Sequence, residues 1–197
     1  MTKTNILITG PPGCGKSTLM EKVIERIERP VTGFFTREIK EKGKRVGFSI
    51  NTLDGREGIL AYQNLRSPFR VGKYGVNLED IDSIAVHAMI PARKEEIVVI
   101  DEIGKMECLS PLFKETLIKV LNLPNWIIGS IAQKGDLFIQ GIKERNDILL
   151  IRITAQNRDI NINKILKLLQ ITYRIYENMP EYAVLCTALN TSRFSIK

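Results

Sequence analysis

Gly10, Gly15, Lys16 and Ser17, in the run NILITGPPGCGKST over residues 5–18, stand at the spacing GxxxxGK[ST]. That pattern holds phosphate: backbone N–H groups wrap the oxygens, the lysine reaches the outer phosphates and the hydroxyl binds magnesium. Glycine lets the chain close round an anion without Cβ clashes, and a helix starting there turns its positive end to the same place. The residues offered to phosphate are therefore Gly10, Pro11, Pro12, Gly13, Cys14, Gly15, Lys16, Ser17 and Thr18. Far downstream the apolar run IVVI ends in Asp101 and Glu102. An acid leaving a buried strand can hold the water shell of magnesium, and a second carboxylate beside it can polarise an attacking water. On this reading Ser17 and Asp101 bind the metal, while Lys16 and Glu102 are catalytic. The plainer alternatives are a glycine turn at an ordinary strand–helix joint and a pair of strand-capping acids.

Those groups need elements to position them. Ile6, Leu7 and Ile8 read as a buried strand, and Leu19, Met20, Val23, Ile24 and Ile27 recur at helical spacing straight after Lys16. Pro30 helps to stop that helix, and 31–36 reads as a strand. Turns at Lys42-Gly43-Lys44 and Asp54-Gly55 separate the runs 46–51 and 58–62, which predicts antiparallel hairpins beside a parallel core. Residues 63–73 are polar and irregular; 78–89 is helix-like, with Asp80 and Asp82 near its first turn. The uninterrupted IVVI run predicts a central parallel strand buried on both faces. Ser110-Pro111 supplies an N-cap and first-turn proline for a helix to about Leu121. Strand 126–131, helix 137–145, strand 148–153 and amphipathic helix 160–169 follow. This alternation predicts an α/β fold, a mainly parallel sheet flanked by helices. We place strand 126–131 between the first strand and the acidic strand. The pattern breaks after about Thr172, giving one domain over 1–171 and a C-terminal extension over 172–197. That extension reads as a docked segment, a partner-binding arm or a disordered end.

Hydrophobic residues make up 44% of the 197 and charged residues 26%, as in ordinary globular proteins. The net charge of +7 invites a nucleic-acid partner. Lysine and arginine are scattered, however, and a nucleoside triphosphate is itself a polyanion, so a solvated basic face with nucleotide steering is the favoured reading. Cys14, Cys108 and Cys186 are odd in number, lack CxxC spacing and accompany one histidine, which argues against a disulfide framework or a zinc site. Cys14 reads first as a small filler; its place ahead of a helix start is also one that lowers a thiol pKa. MTKTN runs directly into the first strand with no room for a signal peptide, and no apolar run reaches ~18 residues. The expected address is the cytoplasm, with no membrane contact. His87 reads as a packed or half-exposed histidine rather than a catalytic base, and Trp126, Tyr173, Tyr176 and Tyr182 read as core or tail packing.

Several segments occur in order: GPPGCGKST at 10–18, GFFTREIK at 33–40 with RVGF at 45–48, VGKYGVN at 71–77, IDEIGKME at 100–107 and TAQNRD at 154–159. Together they resemble the small P-loop nucleoside-triphosphatase family, which includes the thermophilic and cancer-related nucleoside-triphosphatases, over about 4–170. The resemblance implies a P-loop NTPase fold, RecA-like and of the additional-strand catalytic-glutamate type, with antiparallel hairpin additions. It implies magnesium-dependent hydrolysis of nucleoside 5′-triphosphates (ATP, GTP and others) to diphosphate and phosphate, with broad base tolerance. It also implies a second nucleotide-binding segment, Val98, Val99, Ile100, Asp101, Glu102, Ile103, Gly104 and Lys105. Lys105 could reach the γ-phosphate, and Arg158 could meet the base or act as an arginine finger. Thr36, Arg37 and Glu38 end a strand where open α/β sheets bind ligands. The chain departs from the family in SIAQKGD at 130–136 and in its tail. A small-molecule or nucleotide kinase is one rival reading, although no arginine-bearing lid is evident. A nucleotide-gated RNA- or protein-binding module is the other.

Overall fold

A computed structural model describes residues 5–177. Nine strands share one sheet: β1 (Asn5–Thr9), β2 (Val31–Glu41), β3 (Lys44–Thr52), β4 (Glu57–Tyr62), β5 (Arg70–Val71), β6 (Tyr74–Val76), β7 (Ile97–Ile103), β8 (Ile127–Ile131) and β9 (Ile148–Arg152). Their spatial order is β5-β6-β4-β3-β2-β7-β8-β1-β9. From β2 to β9 neighbouring strands are parallel; from β2 back to β5 they are antiparallel. The strand that follows the acidic one in sequence, β8, lies between β7 and β1, as expected.

Period-two alternation divides the core. Leu7, Val98, Ile100 and Ile127 point to one face, where they meet Phe34 and the Phe113, Leu117 and Val120 stripe of α4 (Pro111–Leu121). Ile139 and Ile142 of α5 (Leu137–Lys143) join the same cluster. Ile6, Ile8, Ile97, Val99 and Ile128 point to the other face, under Leu19, Met20 and Val23 of α1 (Lys16–Ile24) and Ile162 and Ile165 of α6 (Arg158–Glu177). Apolar residues on both sides of β1 and β7 are what a strand covered by helices on both faces needs. The helices start where the sequence signals them: Ser110 Oγ accepts from Phe113 N–H at 3.0 Å, and Asp136 Oδ1 accepts from Ile139 N–H at 3.0 Å.

The structure departs from the sequence expectations in places that matter for the site. β2 runs on to Glu41, because its first half pairs with β7 and its polar second half with β3. β7 continues to Ile103, so both acids belong to the strand. The short hairpin β5–β6 lies partly in the stretch read as irregular. The helix-like stretch is two short helices, α2 (Leu78–Asp80) and α3 (Val86–Ala88), joined by a π-turn over Ile81–Ala85. α6 begins at Arg158 and carries through the 171/172 boundary to Glu177; the rest of the extension, with Tyr182 and Cys186, lies outside the described residues, as do the side chains of Tyr173 and Tyr176. Among the described residues no helix is long and apolar enough to cross a membrane.

Candidate active site

The loop from β1 to α1 is shaped by close approaches that only glycine permits. A Cβ on Gly10 would stand 2.4 Å from the Ile153 carbonyl oxygen, where β1 passes the end of β9. Gly15 takes the left-handed φ of 91° at the N-cap of α1, and a Cβ there would reach Arg158 Cδ at 2.8 Å. Pro12, Gly13, Lys16, Ser17 and Thr18 face a cleft of about 750 Å³ with Gly10 and Gly15. Pro11 is exposed and outside that lining. Cys14 is buried in the core beneath the loop, with Sγ 2.9 Å from the position of a Gly10 Cβ, so it fills space and is closed to solvent.

Opposite Lys16 the end of β7 presents its acids. Asp101 is 1% exposed; Oδ1 accepts a hydrogen bond from Ser130 Oγ on the neighbouring β8, while Oδ2 has no protein partner. Burial raises the Asp101 pKa, opposed by the Ser130 and Ser17 hydroxyls and by the Lys16 and Arg37 charges. Glu102 is half-buried in the cleft wall; burial raises its pKa, Lys16 pulls it down and Asp101 adds to the rise. Glu107 is 4% exposed, and its pKa is pushed up to about 8, by burial first and then by the Glu102 and Asp101 charges against two backbone N–H groups.

These positions suit magnesium. A buried carboxylate oxygen without a protein partner, beside a serine hydroxyl at a phosphate loop, is a hard oxygen set of the kind Mg²⁺ takes while keeping water and phosphate ligands. Among the described residues no group of three or more His, Cys, Asp or Glu could hold a metal.

Not every residue of the second segment reaches the cleft. Val98, Val99, Ile100 and Ile103 are wholly buried in the sheet core; Glu102, Gly104 and Lys105 line the cleft, with Asp101 beneath. Alternation along β2 turns Thr36 and Glu38 into it, while Arg37 points away to an ion pair with Glu21 and lies over the Phe35 ring. Arg158 packs against the loop at Gly15 and bonds Asp159 Oδ1 at 3.1 Å. Ala132, Gln133 and Lys134 of the divergent 130–136 segment form a third wall. The fourth comes from the antiparallel strands: Arg45 and Phe48 of β3, Leu60 of β4 and Val71 of β5. His87 is on the surface and Trp126 in the core.

A family model described as NTPase matches residues 5–166. The chain belongs to the NTPase family. It is 46% identical to a nucleoside-triphosphatase THEP1 from Thermotoga sp. (strain RQ2), over 84% of this chain and 95% of that protein. The crystal structure of THEP1 from Aquifex aeolicus superposes with a TM-score of 0.77 at 33% identity, covering 84% of this chain and 99% of that one. The solution structure of a human cancer-related nucleoside triphosphatase gives 0.74 at 33% identity, covering 85% and 97%. Within this NTPase fold, sequence reasoning missed three participants: Ser130, Glu107 and the Arg45–Phe48 wall. Ser130 and Arg45–Phe48 lie on other strands with no spacing rule tying them to Asp101. Glu107 had a signal, a third acid just past Asp101 and Glu102, but its burial depends on the turn that follows Gly104.

Proposed function

We propose that the protein hydrolyses nucleoside 5′-triphosphates to diphosphate and phosphate, with magnesium and broad base tolerance. The observation that carries this reading is the placing of Lys16 within electrostatic reach of the two carboxyl groups at the end of β7, one buried with an oxygen unpartnered among the described residues and one open to the cleft. The relatives' names, all nucleoside-triphosphatases, favour hydrolysis over transfer to another acceptor.

The backbone of the loop binds the phosphates, and the Lys16 ammonium neutralises the outer two. Ser17 and Asp101 would hold the metal, Ser17 directly and Asp101 through water. Magnesium, when bound, draws charge from the β- and γ-phosphate oxygens. Glu102 takes a proton from the attacking water as its oxygen bonds to the γ-phosphorus, and the bond from that phosphorus to the bridging oxygen breaks. A raised pKa makes Glu102 a stronger base than a solvated carboxylate. Arg158, held against the loop at Gly15, supplies a cation in cis on the helix side. This assignment places the protein in the additional-strand, catalytic-glutamate type of RecA-like fold, supported by β8 lying between β1 and β7. Buried, unpaired Cys14 and Cys108 support a reducing cytoplasm.

Phosphate release from ATP, GTP, CTP and UTP, each with and without magnesium and with candidate acceptors added, tests the proposal. Release from all without an acceptor, and loss on removing the metal, is the expected result. Nucleoside diphosphate formed only when an acceptor is present would contradict it.

A further inference from the structure

Glu107 opens the 3₁₀ turn Glu107–Leu109 that follows β7, and no step of hydrolysis above uses it. It is 4% exposed, yet it lines the cleft. Its Oε2 lies 2.8 Å from the place a Cβ would occupy on Gly104, and Glu102 Oε1 lies 3.6 Å from the same place. The two carboxyl groups thus lie near one glycine, where a Cβ would crowd Glu107 and stand at ordinary contact distance from Glu102. A buried acid at a merely structural position is expensive, since an apolar residue would fill the space without desolvating a polar group.

Its surroundings favour the uncharged acid. Glu102 and Asp101 on β7 both disfavour a further negative charge, and burial does so more strongly. Lys16, Lys105 and Lys134 stand on the cleft walls. Cys108, on the same turn, is pushed up to about 12 by burial and by Glu107 and Asp136, with Lys114 acting the other way. A neutral carboxyl has an O–H to donate, and the acceptor available across Gly104 is the Glu102 carboxylate.

We propose that Glu107 is a positioning residue for hydrolysis: a carboxylic acid in the cleft wall whose O–H, donated to Glu102, fixes that carboxylate for water activation. The inference rests on Glu102 being the hydrolytic base.

The test is the pH dependence of kcat and KM for magnesium–ATP in wild type, E107Q and E107L. Glutamine keeps a donor and the length of the side chain; leucine keeps neither polar atom. E107L should lose about a hundredfold or more in kcat at neutral pH with KM within about threefold, the scale of a misplaced catalytic group. E107Q should lose less than about tenfold. Wild-type kcat should also fall on the alkaline side as Glu107 ionises, with a midpoint at or below about 8, and E107Q should lack that fall. Wild-type kcat in folded E107L, an E107Q as poor as E107L, or an alkaline fall shared by wild type and E107Q would each overturn the proposal. Thermal melting shows whether E107L folds; where it does not, E107Q and the two pH profiles decide. A wild type that releases no phosphate defeats the hydrolytic reading instead, whereas an active wild type indifferent to position 107 defeats this inference alone.

Discussion

The loop after β1 and the end of β7 face each other across one cleft, but they work by different physics. The loop, on the proposed function, grips with backbone: glycine conformations, the N-terminus of α1 and one lysine, all within a few consecutive residues. The end of β7 works with side chains whose character comes from elsewhere in the chain. Asp101 owes its hydrogen bond to Ser130 on β8; burial raises the pKa of both Glu102 and Glu107, with Asp101 adding to the first and Glu102 and Asp101 to the second. A site with one half local and the other half tertiary should come apart under mutation into binding and turnover.

The largest effect should come from the point where the halves meet. Lys16→Ala removes the charge that acts on the carboxyl groups and is proposed to meet phosphate, so triphosphate affinity and kcat should each fall by on the order of 10²–10³. Titration of a labelled triphosphate analogue and phosphate-release kinetics measure the two. A variant that keeps its affinity would break the comparison, because the loop would then grip without its lysine.

Glu107 gives a stability test of the tertiary half. Its pKa in the folded protein, about 8, lies above the ordinary glutamate value of 4.5. The folded state therefore holds a proton that the unfolded chain has released. Stability from this group is full below pH 4.5 and is lost as pH rises towards 8. Glu107→Gln should remove that loss. Relative to wild type it should be more stable by on the order of a few kcal/mol at pH 9 than at pH 4, a difference read from urea unfolding at both. A smaller effect is expected at Ser130. Ser130→Ala removes the hydroxyl that donates to Asp101 Oδ1 and should cost about 1–3 kcal/mol in the same measurement. No change would mean that the β8 hydroxyl does not support the acid.

The same division explains what could be read from the sequence. Gly10, Gly15, Lys16 and Ser17 form a local pattern with one structural meaning, and the IVVI run gives a buried parallel strand by its composition. Ser110-Pro111 marks the start of α4 directly, because capping is also local. Ser130 could not be found this way, since its role depends on β8 lying beside β7 in register. The cleft wall of Arg45 and Phe48 likewise depends on β2 continuing past the parallel core into a hairpin, and polar Arg37, Glu38 and Lys40 hid that continuation. Val98, Val99 and Ile100 show the converse: they belong to a recognisable segment, but strand alternation and burial keep them from the cleft.

The most direct measurement uses Glu102→Gln, a change that removes the proposed base and leaves the loop untouched. Equilibrium binding of a non-hydrolysable triphosphate with magnesium and single-turnover phosphate release would be measured on one preparation. The account predicts a dissociation constant within about threefold of wild type and a release rate lower by about 10²–10⁴. Wild-type release from the glutamine variant would contradict it.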